Sequence, residues 1–574
     1  TAVGYQALTA CTASNNVAVG STALASSTSG AHNVAVGHAA LVSTTTGGSN
    51  TAVGYIPLYT NTTGSQNTAI GREALFASTT ASSNTAVGYR SLYVNTTGTQ
   101  NVAVGANALD ANTTANDNTA VGTNALTANT TGDHNVALGT NAADSITTGS
   151  RNIAIGSQAL AAFTTSNDTI AIGYQTLDAQ TTGSGNTAIG GSAMSASTTG
   201  QNNVAVGQAS LFLQTTPDRN TAIGKNSGYN ITTGSENCIM GYQAMYNSTT
   251  ASDSIAIGDH ALANCSTGNN NVAVGREAML SNTTADNNVA MGYKALGSNT
   301  TGTKVTGIGY QAGYSNTTGN TNTAVGYQAG YSVTSGTANT AVGKSSLNAN
   351  TADGSTAVGN DAAEKQTSGS NNTAIGRQTM KNNTTGSNNV AVGSYCMDLS
   401  SGMNYNVAMG HDTARSITTG GNNVMLGHAA GHSNSPSGSI TTGSNNVVLG
   451  NNSTSNLFCA DTSISSSDSR DKTDVTTFNI GLAWIKALRP VTYRWDRRTW
   501  YGTDEEPFGT PDGSKKTQRL HVGFLAQEAL EVEKANGYGT SNDDSLLVNL
   551  TDDGMSYGMK YERLVPILVN AIKE

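Results

Sequence analysis

This chain of 574 residues is short of charge, aromatic rings and proline: Asp, Glu, Lys and Arg make up 11% of it, aromatics 5%, and there are 7 prolines. Such a composition in random order would not bury enough apolar surface to fold, so the order of the residues has to decide. No basic stripe is present to track a phosphate backbone, and the formal net charge is -9, which argues against nucleic acid as a partner. No apolar run approaches the roughly 20 residues of a membrane-spanning helix, so membrane insertion is not expected. The 5 cysteines stand singly, without metal spacing or a disulfide framework, and read as isolated buried thiols. Neither a cofactor nor a metal is expected. Acids are few in the repeats and hold no fixed column, which leaves no carboxylate pair for sugar cleavage and no Asp-rich calcium turn.

What the chain does have is 66 glycines, many at a fixed beat. The pentad Thr51-Ala52-Val53-Gly54-Tyr55 returns from Gly4 to Gly450, almost always at the interval that separates Gly37, Gly54, Gly71 and Gly88. That usual step is 17; two steps are 16 (Gly4 to Gly20, Gly343 to Gly359) and the last, Gly427 to Gly450, is 23. A period sustained this long predicts a β-solenoid, in which each coil is completed by its neighbours.

Positions three and one before the glycine are β-branched or aliphatic (Val17 and Val19, Ile153 and Ile155), the alternation of a strand. They are expected to face the inside of the coil. The position between them is alanine in all but four copies, Ile239, Gly307, Met425 and Val448. That near-uniformity is read as a face packed closely against neighbouring chains. The residue after the glycine varies freely (Tyr55, Arg72, His38, Lys225) and is expected to be exposed. Leu or Met four positions after the glycine forms a second buried ladder. Where Gly228, Gly313 and Gly330 replace it, Tyr229, Tyr314 and Tyr331 follow and are expected to fill the gap. Stretches such as Asn61-Thr62-Thr63-Gly64 are turn chemistry. Coils stacked at strand spacing would make a rod on the order of 130 Å.

These Asn-Thr-Ala-Val-Gly units resemble the head repeats of trimeric bacterial adhesins of the YadA type. The resemblance implies a mainly β fold, a parallel β-solenoid of left-handed β-roll type with 17-residue coils over residues 1–450, wound as a homotrimer. The chain opens inside a repeat, so an attachment region upstream is expected.

Composition changes near residue 460: all three tryptophans (Trp484, Trp495, Trp500) lie beyond it. A polar linker is read over 451–466. Ser467-Asp468-Ser469-Arg470-Asp471-Lys472 pairs a hydroxyl with a lysine, which could activate it if desolvated. Helical spacing over Ile480–Leu488, strand alternation over Val491–Trp495, the segment His521–Glu528 before a helical stretch, and a closing helix over Met559–Lys573 follow. This order resembles the intramolecular chaperone of endosialidase-type phage tailspikes, the S74 peptidase family, over residues 467–574. It implies Ser467 as nucleophile and Lys472 as general base of a single self-cleavage at Ser467-Asp468. It also implies a domain that trimerises the chain, sets its register and is released. The function expected is a trimeric tail-fibre shaft of a virion, joined to other tail proteins and attaching to a host surface glycan or receptor. The alternative is a bacterial cell-surface trimeric adhesin without processing.

Overall fold

In the computed structural model, residues 1–455, 475–503, 506, 508–541, 543–550 and 557–574 are described. They fall in two compact units, Thr1–Asp361 and Ala362–Glu574. The first holds strands β1 (Ala2–Val3) to β22 (Thr356–Val358); the second holds β23 (Thr373–Ile375) to β27 (Val447–Leu449) and the C-terminal elements. Within each unit successive strands pair in parallel, and the fold is a β-solenoid with one three-residue strand per coil after β1. Partners stand one full repeat apart, as in Thr51↔Thr68, Ala52↔Ala69 and Val53↔Ile70. The two short steps keep this register (Ala2↔Ala18, Thr340↔Thr356), and so does the long one (Val424↔Val447).

Hydrogen bonds between coils continue beyond the strands. Leu58 N–H donates to Ala74 O at 3.0 Å and Thr62 N–H to Thr79 O at 2.8 Å. Three residues in each full coil take left-handed backbone angles, as Gln66 (φ 60°), Glu73 (61°) and Leu75 (51°) do. They turn the chain tightly enough to close so short a coil. The closing glycine is different. Gly54 has φ 139°, and a Cβ there would lie 2.5 Å from the carbonyl oxygen of Gly71 in the next coil, so only glycine fits.

The inside of the coil reverses one expectation. The alanine column is the buried one: Ala18, Ala35, Ala52 and Ala69 are all at 0% exposure. The Val, Ile and Thr residues flanking it are half-exposed on the outer face of the sheet. The reason is volume. A coil this narrow already contains the Leu ladder (Leu58, Leu75, Leu92), and between that ladder and the strand only a methyl group fits. The near-invariance of alanine thus reflects packing within one chain.

The exceptions compensate locally. Ile239, in place of alanine, reaches the space beside Gly228, where an added Cβ would sit 3.0 Å from Ile239 Cδ1 and from Ile231 Cδ1. Met425 does the same for Gly431. Gly307 makes room for Leu296. The tyrosines expected to fill these gaps do not. Tyr229 stacks outside between Phe212 and Tyr246 at 5.0 and 5.2 Å, and Tyr314 stacks on Tyr331 at 5.3 Å. The filling comes instead from the position seven after the closing glycine, where Ile231 and Val333 replace Asn near Gly228 and Gly330. Of the thiols, Cys265 and Cys396 are buried as expected, whereas Cys11 and Cys238 are only half-buried.

A polar ladder completes the interior. Asn67 donates its backbone N–H to Asn50 Oδ1 at 2.9 Å, and its Nδ2 to Ala81 O at 2.8 Å. The pattern repeats at Asn84, Asn101 and Asn118 for the backbone donor. An amide bonded as Asn67 is joins its own coil to a neighbour on either side, as a buried polar group requires, whereas Asn118 Nδ2 finds no acceptor.

Candidate functional site

Ser467, Asp468 and Lys472, the residues expected to carry self-cleavage, lie outside the described residues. The C-terminal region that follows is built around a core of Trp484, Leu488, Ala529, Leu547, Val548, Leu564 and Ile567. Helix α1 (Leu482–Ala487) leads to β28 (Val491–Tyr493), which pairs antiparallel with β29 (His521–Gly523). Helix α2 (Ala526–Ala535) follows, then the antiparallel pair β30 (Val548–Leu550) and β31 (Tyr557–Met559), and finally α3 (Leu564–Lys573). Helix α3 begins later than its apolar spacing predicts, because Met559 is drawn into the strand pair and Tyr561–Arg563 form a 3-10 turn. Pro566 is accommodated in the first turn of α3, where no intrahelical N–H is needed.

The closing stretch of sequence works as a clasp. Tyr561 Oη accepts the Phe524 N–H at 3.1 Å over Gly523, where an added Cβ would sit 2.6 Å from that hydroxyl. Arg563 Nη1 donates to Ser545 O and Leu546 O, both at 3.3 Å. Asn570 Nδ2 donates to Phe478 O at 2.6 Å and to Ile480 O at 3.2 Å. Glu574 Oε2 accepts the Leu482 N–H at 2.8 Å, supplying the cap that Gly481 cannot give α1 from its own side chain. On α2, Glu528 forms a two-pronged pair with Arg489, which holds its carboxyl below the usual carboxylate range. The Trp484 indole N–H reaches Val532 O at 3.1 Å.

Residues 467–538 match the Peptidase_S74 family, the chaperone of endosialidase. No curated protein matches the chain. The endosialidase-chaperone match takes in the Ser467–Lys472 stretch, α1, β28, β29 and α2. Of the clasp residues, Tyr561, Asn570 and Glu574 fold back onto this matched part, while Arg563 holds the Ser545–Leu546 stretch that follows it. A β-solenoid followed by an endosialidase-chaperone region fits a tail-fibre-like structural protein.

Two features of this unit escape a linear reading. Glu533, at 0% exposure, accepts hydrogen bonds from Ser545 Oγ (2.9 Å), Leu546 N–H (3.1 Å), Leu547 N–H and Val548 N–H (2.9 Å), so one buried carboxylate sets the approach to β30. Nothing in its helical surroundings distinguishes it from the exposed acids of α2. The second is a group of His411, Asp412 and His428 on two successive coils, whose ligand atoms all lie within 4.8 Å of one another. Its signal is the spacing: the two histidines directly follow the closing glycines Gly410 and Gly427, one repeat apart.

Proposed function

We propose that the chain is a homotrimeric fibre subunit whose C-terminal region brings three chains into register before the solenoid folds. The observation that carries this reading is the outer face of α3. Val565, Leu568, Val569 and Ile572 follow helical spacing and are all exposed, Ile572 at 83%, while Leu564 and Ile567 on the opposite face are buried in the core. A helix apolar on both sides leaves one side, here Val565, Leu568, Val569 and Ile572, without a partner among the described residues of its own chain. A second copy of α3 is the partner that a helix of this kind fits best.

The half-exposed columns of the solenoid (Ile70, Leu138, Ile189, Met240, Met291) support the same reading, since they offer a continuous apolar strip to two further chains. Parallel coils from three chains need a common start, because a one-residue slip exchanges the two faces of each strand. By the endosialidase-chaperone likeness, Ser467 is the nucleophile and Lys472 the base of one cleavage of the Ser467-Asp468 bond. The C–N bond breaks, Asp468 leaves as a new amino terminus, and water hydrolyses the acyl ester to free the Ser467 carboxyl and release the finished fibre. Virion attachment to a host surface glycan or receptor falls to the exposed columns of the shaft.

Sedimentation of the whole chain tests the assembly. A trimer is expected, and Leu568→Glu with Ile572→Glu is expected to give monomers. Monomeric wild type would overturn the proposal. Separately, a gel of intact and Ser467→Ala protein tests cleavage: an Asp468–Glu574 fragment should form only when Ser467 is present.

A further inference from the structure

The cluster at His411, Asp412 and His428 lies well away from the clasp in sequence and is used by neither assembly nor cleavage. His411 and Asp412 belong to one coil, and His428 to the next. The two imidazoles stack with ring centroids 5.6 Å apart, and His411 Nδ1 lies 3.1 Å from Asp412 Oδ2. Each residue offers one ligand atom, and the three atoms lie within 4.8 Å of one another. From these positions we propose a binding site for a late first-row divalent cation, such as zinc, joining two successive coils of the solenoid.

Ligand chemistry points to that class. Two imidazoles and one carboxylate suit zinc, nickel or copper, whereas calcium and magnesium call for oxygen donors alone. A tetrahedral ion bound at about 2.1 Å holds its donors roughly 3.4 Å apart. The widest pair therefore has to close by little more than an ångström, which the exposed His411 and His428 rings can do by rotation. The fourth position remains for water.

The surroundings tune the site. Arg415 Nη1 stands 3.4 Å from Asp412 Oδ1, so one carboxylate oxygen is shared with a guanidinium and the other faces His411. Arg415 also lies 3.9 Å from Asp398 and over the Tyr395 ring, which fixes its place. Its positive charge opposes a cation. On the far side, Asn451, which follows the next closing glycine, has its Oδ1 held by the Ser453 N–H at 2.9 Å and turns its Nδ2 to His428 Nδ1 at 3.0 Å. This contact holds the His428 ring in place beside His411.

Zinc binding to the whole, metal-stripped chain, followed by competition with a chromogenic chelator, tests the proposal. His428→Asn and Asp412→Asn are suitable variants. Asparagine occupies the His428 column at Asn360 and Asn451, and Asp412 has φ 53°, which asparagine tolerates. Wild type should bind one more zinc per chain than either variant, and Arg415→Gln should bind it several-fold more tightly than wild type. Equal zinc stoichiometry in wild type and His428→Asn, with both melting alike, would overturn the site.

Discussion

At the scale of single residues the closing glycine is under the heaviest constraint. Gly54→Ala would place a Cβ 2.5 Å from the Gly71 carbonyl oxygen at a φ of 139°. The expected loss is about 3 kcal/mol, from backbone strain and displacement of the neighbouring coil. Hydrogen exchange should report it as lost protection confined to the coils around Gly54, because each coil touches only its neighbours. Asp144 gives a second prediction. Burial raises its carboxyl above the usual carboxylate range, against hydrogen bonds at its own and the Ser145 backbone that lower it. The folded chain therefore holds this proton more tightly than the unfolded chain. The resulting stability is complete below the ordinary carboxylate range and is lost as pH rises through the raised value. Asp144→Asn should accordingly raise the melting temperature near neutral pH and leave it unchanged at about pH 3. Sequence pattern located the columns to which such residues belong, but a period of two distinguishes two faces without saying which is inside. Side-chain volume decided that: in so narrow a coil alanine goes in, and Val19 or Ile70 goes out.

At the scale of elements, the C-terminal helices and strands were legible because Trp484, Pro490, Gly523 and the apolar spacing of 564–572 punctuate the sequence. Their mutual supports were not, since these join residues far apart in the chain: Glu574 to Leu482, Asn570 to Phe478, Tyr561 to Phe524. The Ser467–Lys472 stretch was readable only as a motif. Among these supports Glu533 carries the most. Glu533→Ala would leave three backbone N–H groups, two of them buried, without their acceptor, and the Ser545 hydroxyl with only Val548 O. About 4 kcal/mol should be lost. All three tryptophans lie in this region, so the loss should appear as earlier melting by tryptophan fluorescence while the far-ultraviolet signal of the solenoid is kept.

At the scale of the whole molecule, each unit stacks its coils one on the next, so that stability is summed coil by coil. The length of a segment should then matter less than its phase. Thr187 pairs with Val204 and Val204 with Thr221, so excising residues 187–203 removes one full coil and brings equivalent positions into contact. The protein lacking this coil should fold, with melting close to wild type. Removing Ala205 alone should do far more damage: it brings Val206 next to Val204, pushes a β-branched side chain into space that holds only a methyl group, and shifts every residue up to the next turn. The long step between Gly427 and Gly450 shows where extra length can go. The additional residues leave the coil as a loop closed at its base by the Ile440 N–H on Gly431 O at 3.0 Å, and Val424 still meets Val447. If loss of the whole coil proved as harmful as loss of Ala205, the coils would not be interchangeable, and the regular glycine beat would be a trace of sequence duplication and not the rule that sets the register.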